Sequence, residues 1–178
     1  KNVRWLNNLN EIKNGPILFF GNEFFDALPI KQYERKNNQV YEKYLKLHKN
    51  SSLKIILKKT PAKTVRKLNK FKLLKKKGII EYPELGFKKL EIIVKKIKKF
   101  NGGLLLIDYG SLKNQNINTL QSVKLHKKNR IFDNIGSSDI TSLVNFGLLK
   151  DYLSQNKLTL NKIVTQSFFL KRIGILNR

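Results

Sequence analysis

Apolar residues cluster along this chain in two ways. Two short runs, Ile17–Phe20 and Leu104–Ile107, are continuous and stop abruptly at polar residues: Gly21-Asn22-Glu23 after the first, Asp108-Tyr109 after the second. Runs of this length, the first preceded by the breaker Gly15-Pro16, read as strands buried on both faces, as in a parallel sheet. Elsewhere the apolar positions recur at helical spacing. Leu90, Ile93, Val94 and Ile97 form the stripe of a helix expected from about Pro83 to Phe100 and ended by Asn101-Gly102-Gly103. Val65, Leu68, Phe71 and Leu74 form another, on a lysine-rich background, opened by Pro61 and closed by Gly78. A helix followed at once by a buried strand is the α/β rhythm.

Residues 31–57 have a different character. KQYER and VYEKYL flank Asn37-Asn38, a hairpin turn signal, and SLKIILKK adds a third strand, so this segment reads as antiparallel. TLQSVKLH and KIVTQSFFL are further strand candidates, separated by a helix expected from Phe146 to Gln155. Val3–Ile12 reads as the tail of a helix or as a loop around Trp5. No repeat and no flexible linker interrupts the pattern.

Composition narrows the classes. With 178 residues and 40% hydrophobic content, the chain is long and apolar enough for one domain with a core. No apolar run approaches the roughly 18–20 residues that span a bilayer. Cysteine is absent, which excludes disulfides and thiolate metal sites. The two histidines, His48 and His126, stand alone, so no metal site is expected. Methionine is absent even at position 1, which leads to the expectation of a fragment or a processed product. The formal charge of +25 invites a nucleic-acid reading, but 31 of the 37 basic residues are lysine. Specific readers of bases lean on arginine, so no specific nucleic-acid partner is expected. The charge is concentrated, with 20 Lys or Arg between residues 43 and 99 against three acids, Glu81, Glu84 and Glu91. That segment reads as a solvated surface or as a face for an acidic partner.

In an open parallel sheet, ligands bind beyond the carboxyl ends of the strands. Asn22, Glu23 and Asp26 follow one apolar run, Asp108 and Tyr109 the other. Such residues are within reach of a cofactor or substrate. Asn22 and Asp26 are equally suited to capping a following helix, and the pattern leaves both readings open.

The same stretch is more specific than a generic strand end. GNEFFDALPIKQY resembles the NEFFDALP signature of the MidA-type methyltransferases, the family of the mitochondrial protein-arginine methyltransferase that assists assembly of respiratory complex I. The resemblance continues in order. VYEKYL stands where the family has a W-x-E strand, IEYPE resembles a segment before a long helix, and GGLLLIDYG is close to a strand ending in DYG. TLQSVKLHKKNRIFDNIGSSDITSLVNF and TQSFFLKRIGILNR resemble the family's later motifs. Asn145 departs from the family's usual Asp, and Leu143 from a common His.

The resemblance implies an α/β fold of the Rossmann-like class I type that uses S-adenosyl-L-methionine. Ile17–Phe20 would be its fourth strand and Leu104–Asp108 its fifth. Residues 31–80 would be an α+β insertion, a hairpin plus a lysine-rich helix covering the substrate side. The family's Gly-rich loop and the acid after its second strand have no counterpart in these residues, since Gly102-Gly103 is a helix stop. The chain is therefore expected to be the carboxyl-terminal part of one methyltransferase domain, and inactive by itself.

Arginine's guanidinium is protonated at neutral pH, so a methyltransferase acting on it needs carboxylates to hold it in a fork. On the resemblance, Glu23 and Asp26 fill that catalytic role. Asn22 orients the target nitrogen and touches the cofactor, and Phe24 and Phe25 wall the site. Asp108, Tyr109, His126, Asp139, Thr141 and Gln166 are the remaining substrate-side candidates, Gln166 from the last strand. Asp108 reads equally as a structural hydrogen-bonding residue, and Asp139 and Thr141 as a loop-fixing pair. Gly110 implies close backbone approach or positive φ. The expected partner is a protein substrate, a respiratory complex subunit among the candidates, with oligomerisation through an unpaired sheet edge. The expected compartment is a bacterial cytoplasm, with the mitochondrial matrix as alternative. A non-catalytic module that engages an acidic partner through residues 43–99 is the competing function.

Overall fold

A computed structural model describes residues 3–49, 52–113 and 116–177. Strands β1 (Ile17–Asn22) and β6 (Gly102–Ile107) lie side by side and parallel, Ile17 opposite Gly102 and Asn22 opposite Ile107. Gly102 permits this approach, because a Cβ there would lie 2.0 Å from the Ile17 carbonyl oxygen. Helix α2 (Glu84–Phe100) leads into β6 and buries Leu90, Ile93, Val94 and Ile97, the stripe the spacing predicts. Leu104 and Leu106 of β6 pack against the same core.

The opposite face of this strand pair is open. Leu18 is 73% exposed and Phe20 63%. Burial of the first run on both faces is therefore corrected: exposure alternates along β1. The cause lies in the pattern itself. When both faces of a strand are apolar, period-2 alternation disappears from the sequence, and one covered face looks like two.

The antiparallel segment consists of β2 (Lys31–Lys36), β3 (Gln39–Leu47), β4 (Leu53–Lys59) and β5 (Ile79–Tyr82), in the order β4-β3-β2-β5. Asn37 and Asn38 both take positive φ, 46° and 59°, as a tight two-residue hairpin turn demands and asparagine tolerates. β5 is an addition to the pattern reading, its four residues too short to announce a strand. Tyr33, Val40, Ile80 and Tyr82 turn inward and are buried with Phe71, Phe87 and Leu90. The Phe87 ring stacks on Tyr82 at 5.1 Å and on Phe71 at 5.9 Å. Burial pushes the Tyr82 hydroxyl up to about 12.

Helix α1 (Ala62–Lys70) is shorter than its apolar stripe. Lys72 takes a left-handed conformation, and Phe71 and Leu74 reach the core from the turn and the short 3-10 segment that come after it. Gly78, at φ 114°, redirects the chain into β5; a Cβ there would lie 2.1 Å from the Asn116 carbonyl oxygen.

Beyond β6, β7 (Gly110–Ser111) pairs in parallel with β11 (Val144–Asn145). β8 (Gln121–Lys124), β9 (Lys127–Asn129) and β10 (Asp139–Thr141) form an antiparallel sheet in the order β10-β8-β9. Helix α3 (Phe146–Gln155) matches the expected bounds and buries Leu148 and Leu149. KIVTQSFFL is not a strand. Its second half is helix α4 (Gln166–Arg172), started by Thr165, whose hydroxyl accepts from the Phe168 amide at 3.3 Å. That cap overrides the β-branched run before it. Val3–Ile12 is a loop around an exposed Trp5 with one 3-10 turn at Leu9–Glu11. Among the described residues no helix is long and apolar enough to cross a membrane.

Candidate functional site

The parallel register of β1 and β6 brings the two polar strand ends together. The Glu23 amide donates to the Ile107 carbonyl at 2.9 Å, and Glu23 itself turns the chain with φ 48°. The Asp108 carboxylate then gathers three backbone amides. Its Oδ2 accepts from the Phe25 amide at 2.9 Å and the Asp26 amide at 3.3 Å, and its Oδ1 accepts from the Tyr109 amide at 2.8 Å. Asp108 thus takes the structural reading, as the acceptor that pins the Glu23–Asp26 turn.

No helix follows Asp26. The next element is β2, so the helix-cap reading of Asn22 and Asp26 is set aside. Asn22 ends β1 with its side chain exposed, as is that of Glu23. Phe24 lies exposed at the edge, while Phe25 is buried against Gly86 of α2. The two rings meet edge to face at 5.5 Å. Of the pair, only Phe24 is free to wall an open site.

Asp26 is buried, and its Oδ1 has no hydrogen-bond partner. Burial raises its carboxyl above the ordinary carboxylate range, and the negative charges of Asp108 and Glu23 add to the rise; the Ala27 amide pulls the other way. Among the described residues none of these three carboxylates forms an ion pair.

The segment after β10 is laced to this turn. The Ser142 amide donates to the Asp26 carbonyl at 3.0 Å, and the Val144 amide to the Tyr109 carbonyl at 2.8 Å. Gly110 serves close approach, since a Cβ there would lie 2.1 Å from the Val144 carbonyl oxygen. Asn145, where the family pattern has Asp, caps α3 by accepting from the Leu148 amide at 2.9 Å. Thr141 accepts from the Gln121 side chain at 3.1 Å, the loop-fixing role. Asp139 is exposed on β10, and Tyr109 is exposed beside Asp108.

Two candidates lie apart from this convergence. His126 and Leu125, both at positive φ, form the exposed two-residue tip of the β8–β9 hairpin, and among the described residues no hydrogen bond or ion pair ties His126 to the strand ends. Gln166 begins α4 on an exposed position, so its placement on a last strand is corrected.

Sequence reasoning misses Glu81. It accepts from the Gln32 side chain at 2.8 Å and the Thr119 amide at 3.0 Å, and from the Thr119 hydroxyl in a short hydrogen bond. Thr119 in turn accepts from the Leu143 amide at 2.9 Å. Glu81 therefore fixes the segment that reaches Asp26. A lone acid inside the apolar stretch IIEY is the available signal. Beside it lies a cavity of about 60 Å³ lined by Phe25, Glu81, Asn116, Thr119 and Ser142, room for a few waters and too small for a nucleoside.

A family model described as "Putative S-adenosyl-L-methionine-dependent methyltransferase" matches residues 1–164. The chain is 30% identical over 180 residues to the mitochondrial protein arginine methyltransferase NDUFAF7 homolog of Caenorhabditis elegans, covering 99% of this chain and 42% of that protein. It is 26% identical to the mitochondrial protein arginine methyltransferase NDUFAF7 of Danio rerio, covering 99% and 41%. A superfamily member from Burkholderia thailandensis, solved bound to S-adenosyl-homocysteine, superimposes with a TM-score of 0.77 at 20% identity, over 98% of this chain and 46% of that one. The chain thus spans about two fifths of the length of the curated relatives it matches, and it shares a mixed α/β fold with the solved structure.

Proposed function

This chain belongs to that family of S-adenosyl-L-methionine-dependent methyltransferases, and on that premise we propose that the ends of β1 and β6 form the acceptor side of a methyl-transfer site for protein arginine. The observation that carries the reading is the group Glu23, Asp26 and Asp108, like charges without an ion-pair partner among the described residues, with Asp26 pushed upward by burial and by its neighbours. A guanidinium set among them relieves the repulsion and makes charge-assisted fork bonds. The names of the curated relatives support the same acceptor. The Rossmann-like class I arrangement belongs to this reading, with β1 and β6 as fourth and fifth strands and residues 31–80 as an insertion over the substrate side.

Glu23 and Asp26 hold two nitrogens of the guanidinium and aim one of them. Asn22 orients that nitrogen through its amide oxygen or touches the cofactor, and Phe24 walls the site. Asp108 acts through the turn it pins. S-adenosyl-L-methionine, when bound, would supply the methyl group, the sulfonium sulfur keeping the electrons of the broken carbon–sulfur bond as the nitrogen takes the carbon. The attacking nitrogen gives up a proton, and the raised carboxyl of Asp26 is suited to take it. A protein substrate, a respiratory complex subunit among the candidates, follows from the resemblance. The relatives' names favour a mitochondrial compartment over a bacterial cytoplasm.

The test is transfer of labelled methyl from S-adenosyl-L-methionine to an arginine-containing protein by the full-length gene product. Glu23→Gln is expected to lower turnover roughly 10- to 100-fold, since charge-assisted hydrogen bonds are worth ~1.5–3 kcal/mol and a decade of rate ~1.4 kcal/mol. Its melting temperature stays unchanged, because Glu23 is exposed. Full turnover in this variant removes Glu23 from the site, and label on another residue type overturns arginine. No transfer at all favours a non-catalytic module acting through residues 43–99.

A further inference from the structure

The β3–β4 hairpin outgrows the core it starts from. Near its base Val40 and Glu42 are buried, but from Tyr44 to Leu47 every residue of β3 is exposed, and so are Lys54, Ile55, Leu57 and Lys58 on β4. The antiparallel register sets Leu45 opposite Ile55, Leu47 opposite Leu53 and Lys43 opposite Leu57. Side chains alternate across a strand, so these residues share one face. Its aliphatic members stand out in solvent: Leu45 is 56% exposed, Leu47 67%, Ile55 57% and Leu57 36%. The other face of the same hairpin carries Tyr44, Lys46, Lys54 and Lys58, with the Lys58 ammonium 4.7 Å from the centre of the Tyr44 ring.

Charge completes the picture. Between residues 43 and 59 the sequence has six lysines (43, 46, 49, 54, 58 and 59) and no Asp or Glu. A second copy of this chain is a poor occupant for the aliphatic face, because the lysines would meet lysines. A protein partner is also disfavoured, since lysine is depleted from protein–protein interface cores and aromatic anchors are enriched there; this face carries leucine and isoleucine. A bilayer with anionic headgroups suits both halves. Aliphatic side chains enter the boundary between headgroups and acyl chains, while lysine stems reach along that surface to the negative charge.

We propose that the projecting β3–β4 hairpin is a docking element for an anionic membrane surface, inserting Leu45, Leu47, Ile55 and Leu57 and binding headgroups through its lysines. It is independent of the methyl-transfer reading.

The experiment is co-sedimentation of the full-length gene product with phosphatidylcholine vesicles, alone and mixed with phosphatidylglycerol, across a salt series. Binding to the mixed vesicles, weakening with salt, and little binding to phosphatidylcholine alone are expected. Lys43→Gln and Lys59→Gln, on the same face as the aliphatic residues, should each lower partitioning about 5-fold, the equivalent of ~1 kcal/mol per lysine near an anionic surface. Leu45→Ser with Ile55→Ser should lower it on the order of 10-fold or more, and since both residues are exposed the fold is kept. Absence of sedimentation with mixed vesicles overturns the proposal. So does loss of binding in the lysine variants with none in the serine pair, accompanied by equal affinity for duplex DNA: that result describes a bare polycation. Dimerisation abolished by the serine pair without any effect on vesicles overturns it in favour of a second copy.

Discussion

Two groups of carboxylates in this molecule sit under opposite electrostatics. At the base of the antiparallel sheet, Lys31 bridges Glu42 at 3.2 Å and Glu84 at 3.1 Å, and Lys67 adds a second contact to Glu84 at 3.5 Å. Hydrogen bonding to Lys31 holds the Glu84 carboxyl below its usual range. At the ends of β1 and β6, Glu23, Asp26 and Asp108 have no such partner among the described residues, and Asp26 is displaced upward. The first group has its cations built in and does structural work. The second has no built-in cation among the described residues, which is the physical content of the proposed guanidinium site. Two similar carboxyls, Asp26 and Glu84, are thus shifted in opposite directions by their surroundings.

The widest separation is expected at Asp26. Asp26→Asn keeps shape and removes charge, so the proposed site predicts a loss of turnover of roughly 10- to 100-fold, on the same accounting as Glu23. Stability should move the other way. The folded-state pKa is raised, so the folded protein holds a proton more tightly than the unfolded chain does. Stability therefore falls as pH rises from the ordinary 3.8 through the raised value, and the variant escapes that fall. It should melt higher than the parent at neutral pH and equally with it below both values. Parallel methyl-transfer assays and melts across pH check this; a variant that loses stability at neutral pH breaks the contrast.

Asp108 should behave as scaffold although it belongs to the site group. Its two oxygens accept three backbone amides, and an asparagine has only one acceptor oxygen. Asp108→Asn is expected to cost about 1–3 kcal/mol by leaving part-buried donors unpaired. Denaturant melts measure it, and hydrogen exchange should locate the loosening at the Phe25 and Asp26 amides. An unchanged melt would return Asp108 to the substrate.

Legibility in the sequence divides along similar lines. Local chemistry reads well: Asn37-Asn38 announces the β2–β3 turn, the Leu90–Ile97 stripe announces α2, and Gly110 announces a close approach. Pairings distant in sequence do not. Nothing near Glu81 tells that Thr119 will close on it, nor does anything near Asp108 tell that the amides of Phe25 and Asp26 will. Leu18 and Phe20 read as buried because an apolar strand does not say how many of its faces are covered. KIVTQSFFL reads as strand because β-branched propensity is weak beside a single threonine cap at Thr165. Proximity of the two strand ends is legible from the topology that apolar runs imply; the roles within it require the register.

The smallest expected effect is at Glu84, and its sign is the opposite of that at Asp26. Glu84→Gln removes an ion pair whose partners are partly exposed, Lys31 at 44% and Glu84 at 32% of the side chain, so solvent screens it. It also removes a negative charge from the first turn of α2, where the helix dipole favours one. Together these are expected to cost about 0.5–1 kcal/mol at neutral pH. The folded-state pKa is lowered, so this contribution is present above the ordinary 4.5 and is lost as pH falls through the lowered value. Parent and variant should differ most at neutral pH and converge in acid. Added salt should shrink the neutral-pH difference, because the screening length shortens. A difference that persists in acid would mean that Glu84 acts by packing rather than charge, and the built-in compensation by Lys31 would no longer distinguish the scaffold group from the site group.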